Sequence, residues 1–473
     1  TINKQFLILI MMKKAFAYIA LLLTCTIGAE AQQVAPFKKG DRVTFVGNSI
    51  TDGGHYHSYI WLYYMTHFPM ERMWMANCGI GGDTGQEILN RLDYDVFSKR
   101  PTVLTLTFGM NDSGYFEYNG DQPEKFAAEK YAQAKHNFSL IEQRLKGLTD
   151  TRIVMVGTSP YDQTSTFNDN VFKNKNNTIG KIVALQDSVA KANHWEMVDF
   201  WAPMNKINAD NQAKDPKFTI NGSDRIHPDN DGHLVMAYEF LKAQGMAGKY
   251  VADVAVDAKS GKVLRSGNCT VSNVKNNSGI VTFSYLAHSL PYPIDTIARG
   301  WEFHRQQKAA LKVIPQFMQE MDNEAFCVKG LKGHYSLEID DVMIDTLSAT
   351  QLAEGINLAT YDYTPQYVQA KAVMELNEMR WEIERQFRDY GWLQYNFFMK
   401  HGMLEQNDHK AAQTFLNNNP NDVWVHSKAN LYDRMIHREV REAMNKQMDV
   451  LVDKIYDINK PVSHRITLTP VKL

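Results

Sequence analysis

Cysteine is scarce in this sequence, and its scarcity argues against two structural classes. Only four cysteines occur among 473 residues, and one of them, Cys25, lies in an apolar stretch near the start. The other three form neither a CxxC motif nor a Cys/His cluster, which disfavours a dense disulfide framework and a structural zinc site. Cys269 and Cys327 are left as a candidate pair, whereas Cys78 is interpreted as a buried filler beside a glycine turn.

The sequence also lacks a charge excess, a long apolar run and several catalytic motifs. Its formal net charge of −2 gives no electrostatic reason to expect a nucleic acid partner. No apolar run is long enough to predict a stable membrane span. G-x-S-x-G, H-E-x-x-H and P-loop motifs do not occur, which disfavours an ordinary α/β-hydrolase, a zinc metalloprotease and a P-loop protein.

The first 31 residues have the composition of a secretory signal peptide. Two lysines precede an apolar run over residues 15–27, and residues 29–31 form an A-x-A cleavage site. We therefore expect cleavage before Gln32 and a secreted or periplasmic protein. A lipoprotein anchored through Cys25 is the weaker alternative, because the preceding Leu-Thr pair makes a poor lipobox.

Residues 32–250 are predicted to form one α/β domain. Short apolar strands alternate with amphipathic helices, which is the pattern of a parallel sheet covered by helices on both faces. In such sheets, ligands bind at the carboxyl ends of the strands. A polar segment, 162–177, is predicted to be a long surface loop. The predicted strands are residues 43–46, 103–108, 153–156 and 197–200, and the predicted helices are residues 85–94, 124–148, 178–193 and 231–243.

The chain after residue 250 has a different pattern. Residues 251–362 are predicted to form a small β-rich region, with antiparallel strands over 271–285 and 335–344. Residues 363–473 are predicted to be helical, because apolar residues recur there at steps of three and four. No activity can be assigned to this portion, which is either a separate binding module or a lid over the site.

Two segments at predicted strand ends carry residues suited to catalysis. Ser49 follows the first predicted strand and Gly47, at the point where a helix should begin. A serine there either caps the helix or exposes its hydroxyl group beside backbone N–H groups. The glycine-rich segment 79–84 also precedes a helix, where it either makes a tight turn or lets a backbone N–H approach a reacting oxygen.

Two further segments add an amide and a carboxylate–imidazole pair. Asn111 closely follows the strand at 103–108, where its side chain either closes an Asx turn or donates to an oxyanion. His227 lies three residues after Asp224, and that spacing lets the carboxylate orient the imidazole ring. Pro228 and the polar loop after it place the pair outside a helix, which favours the functional interpretation.

Together and in this order, the four segments resemble the sequence blocks of the SGNH/GDSL hydrolase family, over about residues 43–241. The resemblance implies a flavodoxin-like three-layer α/β/α fold. It implies that Ser49 is the nucleophile, His227 the general base and then acid, and Asp224 its orienting partner. The backbone N–H groups of Ser49 and Gly82, with the Asn111 side chain, would form the oxyanion hole.

One position departs from the family pattern. The first block reads Gly-Asn-Ser-Ile at residues 47–50, where the family often has Gly-Asp-Ser-Leu. Asn48 keeps a polar side chain that suits a turn but loses a charge. Any electrostatic role of this position is therefore in doubt.

The resemblance implies acyl-ester hydrolysis through a serine acyl-enzyme, without a metal or other cofactor. We expect a small-molecule or glycan ester as substrate, most simply O-acetyl groups on carbohydrate. A lipid or aryl esterase, and a glycan-binding protein with a vestigial hydrolase domain, are the alternatives. Aromatic and histidine residues near the motifs either line the pocket or pack in the core: His55, His57, Tyr115, Phe116 and Tyr118. A lid over the site would direct aromatic residues such as Trp392, Tyr395 and Trp424 toward Ser49.

Overall fold

A five-stranded parallel sheet forms the centre of the N-terminal half. The computed structural model describes residues 34–299, 304–405, 408–418, 420 and 423–472, so the predicted signal peptide lies outside the described residues. The strand order is β2-β1-β3-β4-β5, and every neighbouring pair is parallel, which is the flavodoxin-like arrangement. The predicted fold class is therefore confirmed. The strands are β1 (Arg42–Gly47), β2 (Trp74–Gly79), β3 (Val103–Leu106), β4 (Arg152–Gly157) and β5 (Glu196–Asp199).

Helices cover both faces of this sheet. Successive strand residues point to opposite faces, so Phe45 belongs to one buried core and its neighbour Val46 to another. The core that holds Phe45 also contains the helices at Tyr56–His67 and Asn230–Ala243. The core that holds Val46 contains the helices at Gly85–Arg91 and Pro123–Lys146. The helices are α1 (Ser49–Asp52), α2 (Tyr56–His67), α3 (Gly85–Arg91), α4 (Pro123–Lys146), α5 (Lys175–Ala192), α6 (Trp201–Gln212) and α7 (Asn230–Ala243).

The sequence analysis did not predict β2 or α2, and there is a physical reason why each of them was missed. The run WMANCG in β2 contains small and polar residues instead of the β-branched residues typical of strands. All 12 residues of α2 are buried, so this helix has no polar face and no amphipathic period. It is enclosed because helices from both halves of the chain pack against it.

Two further sheets form a β-sandwich after residue 250. One has the order β13-β10-β6-β7 and the other the order β12-β11-β14-β9-β8, with a shared apolar core between them. Two short helices, α8 (Phe317–Glu320) and α9 (Ala349–Glu354), lie between strands. The strands are β6 (Tyr250–Asp257), β7 (Lys262–Gly267), β8 (Cys269–Asn277), β9 (Ile280–Ala287), β10 (Asn323–Lys329), β11 (His334–Ile339), β12 (Val342–Ser348), β13 (Ile356–Asn357) and β14 (His464–Val471).

Strand β14 corrects the predicted boundary between the β-rich and helical regions. It lies in the stretch predicted to be helical, but it pairs antiparallel with both β9 and β11 in the middle of the second sheet. Ile466 and Leu468 are fully buried and alternate with more exposed neighbours, a period of two that is typical of a strand. The chain therefore returns to the sandwich after its last helix.

The remaining C-terminal segment is helical, as predicted, and packs against the α/β domain. Val373 and Met374 of α10 and Ile455 of α13 share one core with α2. The C-terminal helices are therefore joined to the α/β domain through the first and the last of them. They are α10 (Pro365–Trp392), which continues into a π-helix at Leu393–Phe398, α11 (His409–Asn418), α12 (Val423–Met435) and α13 (Arg438–Ile458).

The three cysteines within the described residues are buried and unpaired. The candidate pair Cys269–Cys327 therefore does not form. Cys327 Sγ instead lies 3.3 Å from the carbonyl oxygen of Ala353. Cys78 is completely buried at the end of β2, in agreement with its interpretation as a filler.

Candidate active site

Ser49 lies at the junction between β1 and the short helix α1. Asn48 caps that helix, because its Oδ1 accepts a hydrogen bond of 3.0 Å from the Ile50 N–H. Gly47, which precedes Asn48, has to be glycine, since a Cβ atom there would lie 2.2 Å from Thr51 Oγ1. The neutral Asn48 amide thus supplies the helix cap, and Ser49 is half-buried just after the carboxyl end of β1.

Ser49, His227 and Asp224 form a continuous chain of hydrogen bonds. The distance from Ser49 Oγ to His227 Nε2 is 2.7 Å, and that from His227 Nδ1 to Asp224 Oδ2 is 2.5 Å. The Nδ1 proton is therefore directed at the carboxylate, which leaves Nε2 to accept the serine proton. Burial alone would raise the pKa of Asp224, but the hydrogen bond to His227 and the charge of that ring hold it below its ordinary value.

The turn that carries the Asp–His pair is held by Arg225, which no sequence pattern singled out. Arg225 has a positive φ of 66° and is buried. Its Nη1 donates to the carbonyl oxygens of Asp162 and Ser165 at 3.1 and 2.9 Å. The segment predicted to be a surface loop is therefore partly internal, because it wraps around the guanidinium group.

Gly82 and Asn111 lie on the two loops that flank Ser49. These loops follow β2 and β3, which are the neighbours of β1 on either side. Asn111 Nδ2 donates to the carbonyl oxygen of Asp83 at 2.8 Å, and the Tyr115 hydroxyl donates to Asn111 Oδ1 at 2.5 Å. The amide is thereby held in one orientation. Its nitrogen carries two protons, and the bond to Asp83 uses one of them.

A buried lysine fixes the loop that carries Asn111. Lys175 Nζ donates to the carbonyl oxygens of Met110 and Gly114, each at 2.6 Å, and to Ser113 Oγ at 2.7 Å. The sequence analysis placed Lys175 in a surface loop, but α5 begins at this residue and its side chain is fully buried. A lysine at a predicted loop end gives no signal of burial, since its partners are distant in sequence.

The aromatic and histidine residues near the motifs divide into two groups. His55, His57 and Tyr118 are at most 4% exposed and pack in the interior. Tyr115 contacts the site through Asn111, and the neighbouring Phe116 ring is 79% exposed. The first group therefore packs in the core, and Tyr115 borders the site.

Of the two candidate C-terminal aromatic side chains that the structure describes, Trp392 reaches the site. Trp392 Nε1 donates to the Gly81 carbonyl oxygen at 3.1 Å, in the loop that carries Gly82. Tyr395 lies elsewhere, in a cavity of about 500 Å³ that Arg388 also lines. The Trp424 side chain lies outside the part of the chain that the structure describes.

Neither a metal site nor a membrane-spanning helix occurs in the described part of the chain. No group of three or more His, Cys, Asp or Glu side chains there could hold a metal ion. No helix there has the length and the apolar character needed to cross a membrane.

Two family models match the chain. The GDSL-like lipase/acylhydrolase family matches residues 45–235, and the diltiazem deacetylase C-terminal helical domain matches residues 371–460. No curated protein matches the chain.

Several solved structures are similar. A gut microbial diltiazem-metabolizing enzyme is 53% identical, with a TM-score of 0.91 over 93% of this chain and 100% of its own. An acetylxylan esterase from Geobacillus stearothermophilus is 22% identical, with a TM-score of 0.36 over 44% of this chain and 95% of its own. An α/β hydrolase from the metagenome of Lake Arreo in Spain is 21% identical, with a TM-score of 0.35 over 44% of this chain and 97% of its own.

The fold, the family matches and the 53% identical structure define the class of the protein as an ester-hydrolysing serine hydrolase. The chain belongs to the GDSL-like lipase/acylhydrolase family, and its C-terminal helices match the helical domain of diltiazem deacetylase. The SGNH/GDSL resemblance is thereby confirmed.

Proposed function

We propose that Ser49, His227 and Asp224 form the catalytic triad of an acetyl esterase. The observation that carries this proposal is the unbroken hydrogen-bond chain from Ser49 Oγ through the His227 ring to Asp224. It is the arrangement in which a serine hydroxyl becomes a nucleophile at neutral pH. The two ring nitrogens have different partners, so Nδ1 can keep its proton on the Asp224 side while Nε2 takes the serine proton.

The reaction would proceed in two balanced halves. Ser49 Oγ attacks the ester carbonyl carbon while His227 Nε2 takes the hydroxyl proton, and the resulting tetrahedral intermediate carries a negative oxygen. Its collapse breaks the bond to the alcohol, which leaves with the proton from Nε2. A water molecule then attacks the acetyl-serine in the same way, which releases acetate and restores Ser49.

The negative oxygen of the intermediate would be stabilised by three donors. These are the backbone N–H groups of Ser49 and Gly82 and the second proton of Asn111 Nδ2. The Ser49 N–H lies in the first turn of α1, where backbone N–H groups lack helical partners. The loops bearing Gly82 and Asn111 approach from opposite sides, since β1 lies between β2 and β3.

For the substrate, O-acetyl groups on carbohydrate are our first candidate. The exposed Phe116 ring follows Tyr115, whose hydroxyl bonds Asn111, and offers an aromatic face on which a sugar ring could stack. The second candidate is the acetate ester of an apolar, drug-like alcohol. It is supported by the 53% identity to a diltiazem-metabolizing enzyme and by the match of the C-terminal helices to a diltiazem deacetylase domain.

The test is release of acetate by the purified protein beside its Ser49→Ala variant. The substrates are acetylated xylo-oligosaccharides, diltiazem, and p-nitrophenyl esters of acetate and octanoate. We expect acetyl esters to be cleaved and the Ser49→Ala variant to lose at least about a thousandfold in kcat. Cleavage of octanoate in preference to acetate would move the assignment to a lipid esterase, and cleavage of no ester would overturn it.

The two substrate candidates are separated by the same assay. A higher kcat/KM for acetylated oligosaccharides than for diltiazem would support the carbohydrate, and the reverse order would support the apolar alcohol. Phe116→Ala is the informative variant, because loss of a stacking face should raise KM for the oligosaccharide with little effect on p-nitrophenyl acetate.

We also propose that the protein is exported and loses residues 1–31. The support is the signal-peptide composition of that stretch. N-terminal sequencing of the protein recovered from a periplasmic or culture fraction tests it, and Gln32 is the expected first residue. Recovery of the uncleaved chain from the cytoplasm would contradict the proposal.

A further inference from the structure

Two side chains from the C-terminal helices hold the loop of the proposed oxyanion donor. Trp392 Nε1 donates to the Gly81 carbonyl oxygen at 3.1 Å. Asn396 Nδ2 donates to the same carbonyl at 3.3 Å and to Asp83 Oδ1 at 3.1 Å. Trp392 is the last residue of α10, and Asn396 lies in the π-helix that continues it.

The Gly81 carbonyl matters because it shares a peptide group with the Gly82 N–H. A peptide group is planar, and in the trans form its C=O and N–H point in opposite directions. A carbonyl held by Trp392 and Asn396 therefore directs the Gly82 N–H away from the C-terminal helices. Gly82 has a φ of 85° and neighbours another glycine, so this segment has little intrinsic stiffness.

The other side of Gly81 is held through the same helix. The Gly81 N–H donates to Asp52 Oδ2 at 2.9 Å, and Asp52 Oδ1 accepts from Arg385 Nη1 at 2.8 Å. Asp52 is buried and ends α1, the helix that begins with Ser49. Both peptide groups that flank Gly81 are thus tied, directly or through Asp52, to α10 and its extension.

This loop lies against the nucleophile. A Cβ atom built on Gly81 would be 4.0 Å from Ser49 Cβ and 3.9 Å from Trp392 Cδ1. A rotation of the Gly81–Gly82 peptide would therefore turn the Gly82 N–H away from its direction beside the nucleophile. The indole and amide donors oppose that rotation.

We infer that Trp392 and Asn396 are positioning residues for the oxyanion hole. The C-terminal helices thereby belong to the catalytic apparatus of the α/β domain, instead of forming a separate binding module. This inference rests on the proposed function, because it assumes that the Gly82 N–H stabilises the intermediate. An aligned donor stabilises the transition state more than the ground state, so its misalignment lowers kcat and leaves KM nearly unchanged.

The test uses two variants of the full-length protein. Trp392→Phe keeps an aromatic ring but removes the N–H, and Asn396→Leu keeps the approximate volume but removes both donors. With p-nitrophenyl acetate, we expect each variant to lose about tenfold in kcat, and the double variant about a hundredfold, with KM within about twofold. Rates are expressed per folded protein, from circular dichroism at the assay temperature.

A matched control separates positioning from general loosening of the fold. Trp201 Nε1 donates to Asn176 Oδ1 at 2.9 Å, and Trp201 follows β5 at the opposite edge of the sheet from β2. Trp201→Phe removes a comparable indole bond and should leave kcat unchanged.

Two outcomes would overturn the inference. One is an unchanged kcat in both folded variants, and the other is a raised KM with unchanged kcat, which would place Trp392 in substrate binding. Failure of the proposed function looks different, because the wild-type protein would then cleave no acetyl ester or Ser49→Ala would keep its activity.

Discussion

Arg388 binds both carboxylate oxygens of Asp95 across the boundary between the C-terminal helices and the α/β domain. The Nη1–Oδ2 and Nη2–Oδ1 distances are 2.8 and 2.9 Å, and both side chains are buried. Asp95 also accepts from Arg91, whose Nε donates to Asp83 at 2.7 Å. Burial alone would raise the pKa of Asp95, but Arg388 and the other nearby cations hold it well below its usual range.

Removal of the Arg388 guanidinium group should destabilise the protein strongly. Arg388→Met removes the bidentate partner of the buried Asp95 carboxylate, which keeps Arg91 and Lys99. The cost should therefore be about 3 kcal/mol, at the lower end for a broken buried pair. The measurement is the shift of the urea unfolding midpoint. Arg438→Met is the control, because the Arg438–Glu442 pair is exposed and screened by water, so its loss should hardly move the midpoint. Equal shifts for the two variants would contradict the prediction.

Asp224→Asn should lower kcat without a comparable change in KM. The asparagine amide would donate to His227 Nδ1 and so place the ring proton on Nε2, where it faces Ser49 and cannot accept the serine proton. We expect a loss of about a hundredfold to ten-thousandfold in kcat. Steady-state kinetics with p-nitrophenyl acetate measure it, and a kcat within threefold of wild type would show that another group orients the ring.

The residues that would carry out the chemistry were more predictable from the sequence than the residues that hold them in place. Ser49 and Asn111 follow strand ends, which have a known place in a parallel sheet, and His227 was found from the aspartate three residues before it. Asn48 could likewise be identified as turn-compatible from its type alone. The strands that carry these residues were found from their apolar composition, with β2 as the exception.

The residues that hold the site in place gave no comparable signal. Arg225 and Lys175 are charged residues in segments whose composition predicts solvated loops. Both are nevertheless buried, and their hydrogen-bond partners are distant in sequence. Trp392 and Asn396 lie more than 300 positions after the glycine that they bind. A contact between a helix and a loop so far apart is set by tertiary packing, which no periodicity in one segment reports.

Tyr115→Phe should reduce activity through Asn111. The variant loses the hydroxyl that donates to Asn111 Oδ1, so the amide can rotate away from the oxyanion; we expect kcat to fall about three- to tenfold. Tyr64→Phe is the matched control, since its buried hydroxyl bonds Gln244 and the Phe37 N–H, away from the Asn111 loop. It should cost about 1 kcal/mol of stability and little kcat. Equal losses of kcat in both variants would rule out a specific role for the Tyr115 hydroxyl.

Glu324→Gln should change how stability depends on pH. Glu324 is buried in β10, and Tyr285 and Gln366 both donate to its Oε1, at 2.6 and 3.0 Å. Burial raises the pKa of Glu324 to about 7 against these two bonds. Because the folded state then binds the proton more tightly than the unfolded chain, stability falls as the pH rises from about 4.5 to about 7.

Glutamine keeps the Oε1 acceptor and cannot ionise, so the variant should not show this fall. Relative to wild type, we expect Glu324→Gln to gain about 3 kcal/mol between pH 4 and pH 8. Urea unfolding at several pH values measures the difference, and other titrating groups cancel because both proteins contain them. A difference that stays constant over this range would contradict the prediction, because it would show that folding does not raise the pKa of Glu324.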